Sequence, residues 1–190
     1  LSDADRADPR QLEAFRSIIE SSGGRVEGPM GEFFEVVPGS KVVFTANSVG
    51  GGDEFGRCIT SNAMDASFLD RTVALRFHFM EWGDATEILK EKFPAFCNRI
   101  GEDNLAKIGK VTSAMRQKIE SEEIDAEFSH RALEHWCAHG ARILKVAGGS
   151  GLPANLLLRA ARVGFLDKQK DRTIREQMWT VLTTHIKEEK

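Results

Sequence analysis

Three groups of residues in this chain carry side chains suited to phosphoryl chemistry, and they follow one another in a fixed order. An acidic cluster comes first, with Asp3 and Asp5 in the run LSDADRADP. An apolar run ending in Thr45-Ala46-Asn47 comes next, and Phe68-Leu69-Asp70-Arg71 closes the set. Transfer of a phosphoryl group from ATP needs an acidic group that holds a metal ion, a residue that orients the attacking water, and a cation facing the charge that develops on the γ-phosphate. An Asn at the carboxyl end of a strand lies where α/β sheets place their ligands, and can position a water there. An Arg at the end of a surface helix can reach into a neighbouring subunit. Each residue also has a plainer use: Asn47 suits a strand-ending turn, and Arg71 suits a surface ion pair with Asp70.

The elements that would position these groups can be read from periodicity. Asp8-Pro9-Arg10-Gln11 is a helix start, with an Asp cap and Pro at the first helical position. Leu12, Phe15, Ile18 and Ile19 then recur at helical spacing, which predicts a helix over 9–21. The stretch 25–37 alternates around Gly28-Pro29 and Gly31, which predicts a hairpin. Lys41 to Ala46 (KVVFTA) has the β-branched and aromatic content of a buried parallel strand, and Thr72 to Phe79 (TVALRFHF) predicts another. A Gly-rich loop at 49–56 and a helix over 62–69 lie between them. The loop is compatible with plain flexibility or with a face turned to a neighbouring subunit.

After Gly83 the pattern changes to helices throughout. Asp84-Ala85-Thr86-Glu87 reads as a capping box. Leu105, Ile108, Val111, Met115 and Ile119 mark one helix, and Leu133, Trp136, Cys137, Ile143 and Leu144 a second. Leu156, Leu157, Ala160, Ala161 and Phe165 mark a third, and Ile174, Met178, Val181, Leu182 and Ile186 a fourth. Residues 1–82 are thus expected to form an α/β piece and 83–190 a helical domain. The α/β piece has too few strands for an open parallel sheet, and the chain opens on Leu1 rather than Met. Both features lead to the expectation that it is part of a larger protein.

Bulk properties narrow the classes. A net charge of -3 over 190 residues, with a pI near 6.0, creates no field that would gather nucleic acid or an anionic membrane. No run is apolar enough to cross a bilayer as a helix. Cys58, Cys97 and Cys137 are odd in number and scattered, which fits reduced thiols in a cytoplasmic protein. His135 and His139 share a helix face, but Cys137 points elsewhere and no carboxylate completes a metal set. The basic stretch Arg159, Arg162, Lys168, Lys170, Arg172 and Arg175 is diluted by Asp167, Asp171 and Glu176, which favours a solvated face or a subunit contact.

Taken in order, these segments resemble the AAA+ ATPases of the MoxR and cobaltochelatase small-subunit type, within the dynein-related group. LSDADRADPRQLEAFRSIIE resembles the Walker B segment and the helix after it. TANSVGGGDEFG resembles the sensor 1 strand and its loop, NAMDASFLDR the arginine-finger helix, and FSHRAL (128–133) the start of the sensor 2 helix. The resemblance implies the distal part of an α/β P-loop AAA+ core followed by an all-helical lid, in a ring ATPase that is hexameric by family habit. It implies ATP and Mg2+ as cofactors and a partner protein as the substrate that is remodelled.

Residue by residue, the resemblance makes Asn47 sensor 1, Arg71 the finger acting on the adjacent protomer, and Arg131 the sensor 2 contact to nucleotide. Ser129 as a helix cap with Arg131 solvated is the competing reading of that site. Asp3 falls where the family has its catalytic Glu and Ser2 where it has a metal-binding Asp; a shifted register would use Asp3 and Asp5 instead. The sequence contains no GxxxxGK[ST], so the phosphate cradle of such an enzyme is not in these residues. Two other readings follow from the same motifs: a non-hydrolysing scaffold that lends Arg71 to an active partner, and a nucleic-acid-remodelling relative of the group.

Overall fold

The computed structural model describes residues 3–8, 12, 15, 18, 19, 25–28, 30–46, 64, 66–75, 77–149 and 151–187. The chain divides into two compact units, Leu1–Phe77 and His78–Lys190. The described residues are mostly helical, with six α-helices and one two-stranded sheet.

In the N-terminal unit, a 3-10 turn at Ala4–Arg6 leads to helical residues 12, 15, 18 and 19. Strands β1 (Arg25–Glu27) and β2 (Phe33–Glu35) form the expected hairpin, antiparallel with Arg25 opposite Glu35 and Val26 opposite Phe34. Gly31 takes φ 81° in its turn, a left-handed conformation that suits glycine. A short helix, α1 (Ala66–Leu69), carries Phe68 into the core. Ala4, Leu12 and Phe68 are buried together, with Phe44 and Ile19 packed against them. Phe44 touches Phe15 edge-on at 5.8 Å and Phe68 at 5.4 Å between ring centroids.

The parallel strands expected at 41–46 and 72–79 are not formed: no ladder includes them among the described residues. Without a ladder, side chains still alternate over 41–45, with Val42 and Phe44 half-buried and Lys41, Val43 and Thr45 exposed. Val73, Leu75 and Phe77 stand 88%, 75% and 90% exposed. A strand is completed only by a neighbour that takes up its N–H and C=O groups, and the hairpin is the one strand pair among the described residues.

The C-terminal unit contains α2 (Trp82–Lys92), α3 (Pro94–Glu120), α4 (His130–Ala147), α5 (Leu156–Gly164) and α6 (Arg172–His185), with a 3-10 turn at Leu166–Lys168. The apolar stripes converge on one core in which Leu89, Phe96, Ile108, Met115, Leu133, Trp136, Met178 and Leu182 are fully enclosed. Each such Leu or Met contributes about 1.5–3 kcal/mol by leaving water. Phe128 and Phe165 meet edge-on at 4.9 Å and Phe165 meets Trp136 at 5.5 Å, closing the end of the core. The Trp136 indole Nε1 donates to the Leu157 carbonyl at 2.8 Å, tying α4 to α5. Asp171 caps α6 by accepting from the Thr173 and Ile174 amides.

One local expectation is corrected. The Asp84–Glu87 box does not start a helix: α2 begins two residues earlier, with Glu81 at the cap position and Asp84 in the first turn. The Trp82 indole explains the early start, because it lies against Gly109 of α3, where an added Cβ would come within 2.5 Å of the ring. α3 itself is interrupted, and the expected helix marked by Leu105 to Ile119 is its longer part. Gly101 has φ 76° and ψ 168°, so a short helix to Ile100 is joined to a longer one from Glu102.

Candidate functional site

Of the residues with expected roles, Ser2 and Asn47 lie outside the described residues. Asp3 is exposed and left-handed (φ 53°), and its backbone is fixed beside the segment that leads to Asn47. The Ala4 amide donates to the Thr45 carbonyl at 2.7 Å, and the Asp3 amide to the Thr45 hydroxyl at 3.2 Å. Contacts across 41 and 42 residues of sequence therefore set the acidic cluster next to the end of KVVFTA. Asp5, the alternative acid, is instead buried, 1% exposed, in the 3-10 turn.

Arg71 follows the last turn of α1. Its amide donates to the Phe68 carbonyl at 3.2 Å, and its guanidinium Nη1 donates to the Ser67 carbonyl. The side chain is exposed and covers one of the carbonyls that a helix end leaves without an intrahelical donor. Phe68, three residues before it, anchors α1 on Phe44. The N-terminal unit thus gathers the acidic turn, the run before Asn47 and the Arg71 helix around one aromatic ring.

Arg131 belongs to the other unit. It is exposed in the first turn of α4, whose cap position is held by Ser129 without a side-chain cap bond. Beside it, His130 Nε2 lies 3.4 Å from the Glu134 carboxylate without a hydrogen bond to it, and Glu134 accepts from Lys92 Nζ at 2.6 Å. That Lys92 bond holds the Glu134 pKa below the usual carboxylate range. His135 pairs with Lys168 Nζ at 2.9 Å, and the nearby His139 is pushed down by partial burial and by the cations Arg142 and Lys168. Cys137 is fully enclosed and its thiol is pushed up to about 12 by burial. No cluster of three His, Cys, Asp or Glu side chains suited to a metal ion occurs among the described residues.

The basic stretch of α5 and α6 lines a groove of about 330 Å3 with Arg162, Arg175 and Trp179. Acidic neighbours balance it: Arg162 lies 3.9 Å from Asp167, and Arg172 binds Glu176 at 2.7 Å. No helix of the described residues is long and apolar enough to cross a membrane.

Sequence reasoning did not single out Arg116. It is 9% exposed in α3, donates from Nη1 to the Met80 carbonyl at 2.7 Å, and lies 4.8 Å from the Phe79 ring centroid. Its Nε and Nη2 have no hydrogen-bond partner among the described residues. Burial lowers its pKa, against the pull of the Glu120 and Glu81 carboxylates. The one signal available was position, since Gly109, Thr112 and Arg116 fall at i, i+3 and i+7 on a single helix face. No protein-family model matches this chain, and no curated protein or solved structure matches it either.

Proposed function

We propose that this chain is part of a ring-forming AAA+ ATPase of the MoxR or cobaltochelatase small-subunit type, contributing the sensor 1 segment, the arginine finger and the helical lid. The reading rests first on the ordered motifs. The observation that carries it is the pair of bonds from Asp3 and Ala4 to Thr45, because they put the acidic segment beside the run that ends in Asn47. Phe68 packs on Phe44, and Arg71 follows it with its side chain exposed, which supports the finger role. Within this proposal Asp3 is the base, Asn47 orients the attacking water, and Arg71 faces the charge in the neighbouring subunit's site. By the resemblance, Ser2 would take the family's metal-binding position and Arg131 would supply a nucleotide contact from the lid.

The residues present do not by themselves fit ATP or Mg2+. The sequence has no GxxxxGK[ST], and Mg2+ demands near-octahedral oxygen ligation that Asp3 and Ser2 cannot complete. The proposal therefore requires a phosphate-binding segment outside these 190 residues. Remodelling of a partner protein is the work expected of such a ring, by analogy with the family.

The test is Arg71→Ala in the ring-forming full-length protein. ATP turnover is expected to fall by about 10³-fold or more, while nucleotide binding persists. Unchanged turnover under ring-forming conditions sinks the assignment. The Ser2-Asp3 pair, standing where the family has an Asp and a Glu, also favours one second reading, a scaffold that supplies Arg71 to an active partner. That reading expects no turnover from the full-length protein alone, and an Arg71-dependent stimulation when the active subunit is added.

A further inference from the structure

The groove on the helical unit is lined by Arg162, Leu166, Asp167, Arg175, Glu176 and Trp179. Its two carboxylates already have cations of their own: Asp167 lies 3.9 Å from Arg162, and Glu176 accepts from Arg172 at 2.7 Å. Arg175 is left over. Its side chain is half-buried, and its guanidinium makes no ion pair or hydrogen bond among the described residues. Trp179 stands one turn further along α6, with its ring centroid 5.9 Å from the Arg162 guanidinium carbon. Arginine and tryptophan are residues in which protein contacts concentrate their binding energy. A guanidinium without an acceptor selects a carboxylate, which can take both arms of its fork.

This chain carries suitable carboxylates in the segment between α3 and α4. Ile124, Ala126 and Phe128 are buried, and Glu123, Asp125 and Glu127 alternate with them and are exposed. The apolar three pin the segment to the core and leave the acidic three along its outer edge, with Glu122 exposed just before them. Glu123 is bonded by Lys118. The carboxylates of Glu122 and Glu127 have no partner among the described residues.

The groove and the acidic edge lie on opposite sides of α6. Gln177 is two residues from both Arg175 and Trp179, about 200° around a helix of 3.6 residues per turn. Its Nε2 donates to the Glu123 carbonyl at 3.4 Å, so the acidic edge is held on the far side and cannot reach the groove of its own chain. We propose that the groove receives the acidic edge of a second copy of this chain, head to tail, with Glu122 or Glu127 of that copy bonding Arg175 beside Trp179. A contact made of two different surfaces leaves one of each open, so it repeats around a ring or along a filament. The contact goes beyond the ATPase reading: it belongs to the helical unit alone and is read without nucleotide, so either can fail without the other.

The experiment is sedimentation of the 190-residue chain from about 10 µM to about 1 mM, the range in which weak contacts become populated. The weight-average mass is expected to rise with concentration, and to fall back when added salt screens the charges. Arg175→Gln disables the groove, and Glu122→Gln with Glu127→Gln disables the edge. Each variant alone is expected to associate about tenfold more weakly than the parent chain. An equal mixture of the two is expected to regain one junction, because the intact edge of the first meets the intact groove of the second. It should stop at a dimer, since the surfaces left open are both disabled. A parent chain that stays monomeric across the range overturns the contact, and so does association that either variant leaves unchanged. A mixture no larger than its components overturns the pairing too, and would mean that the groove takes something other than this edge. Glutamine keeps the approximate size of each side chain, and if one variant fails to fold the other still decides.

Discussion

Gly101 offers a substitution whose sign depends on the backbone alone. A continuous α3 would gain from Gly101→Ala by roughly 1 kcal/mol, since alanine is the better helix former. The structure predicts the reverse. At φ 76° and ψ 168° the residue sits in a region essentially reserved for glycine, and forcing a side-chain-bearing residue there costs about 1–3 kcal/mol. Nothing lies within 4 Å of the position a Cβ would occupy, so no steric clash contributes and the cost is conformational. Gly83 in the first turn of α2 is the control: it is equally open, without positive φ, and Gly83→Ala is expected to stabilise by up to about 1 kcal/mol. Trp82, Trp136 and Trp179 all lie in the C-terminal unit, so tryptophan emission during thermal unfolding reports on that unit alone. At roughly 4 °C per kcal/mol, Gly101→Ala lowers the midpoint by about 4–12 °C. A rise in the midpoint, or movement of both variants in the same direction, would show that the break in α3 is absent.

Trp136→Phe removes the donor to the Leu157 carbonyl and should destabilise the helical unit by about 1–3 kcal/mol in urea melts, without changing the slope. Cys97 and Cys137 are buried, with raised pKa values, so alkylation at pH 8 followed by peptide mapping should label neither until denaturant is added. Glu134 has a depressed pKa, so it stabilises the fold above the ordinary carboxylate value of 4.5, and that contribution is lost as pH falls through its lower folded value. Lys92 is half exposed, which limits the effect to about 0.2–1 kcal/mol; Lys92→Met should flatten this part of the stability–pH curve.

The helices after Gly83 were legible because a helix satisfies its backbone within itself, so a 3.6-residue stripe needs only a core to face. Ile174, Met178 and Leu182 of α6 read correctly for that reason. What could not be read were events set by a neighbour across space. The start of α2 was misplaced because the burial of Trp82 depends on the missing side chain of Gly109, 27 residues away. Arg116 looked like an ordinary charged helix position, since among the described residues Met80 and Phe79, just before α2, give it something to hold. At the candidate site the sequence supplied residue types and order. The nearness of Asp3 to Thr45 is a property of the fold that no local pattern encodes.

The two expected strands show the same limit from the other side. Alternation does appear in the first: Val42 and Phe44 turn inward while Lys41, Val43 and Thr45 turn out. A pattern of that kind specifies which face of a strand is apolar, not that a partner is there to complete the ladder. Val73, Leu75 and Phe77 occupy alternate positions and are almost fully exposed, an uncommon state for three large apolar side chains in succession. The ATPase reading accounts for this, because in an open sheet these positions would face helices and strands contributed by the phosphate-binding part of the core. The consequence is specific. Val73→Thr, Leu75→Thr and Phe77→Thr together should leave the tryptophan-reported melting of the helical unit unchanged, yet abolish nucleotide-dependent activity of the full-length protein by disrupting its sheet. Retained activity in that triple variant would mean that these side chains are exposed in the working protein as well, and the sheet-based argument for the proposed function would fall with it.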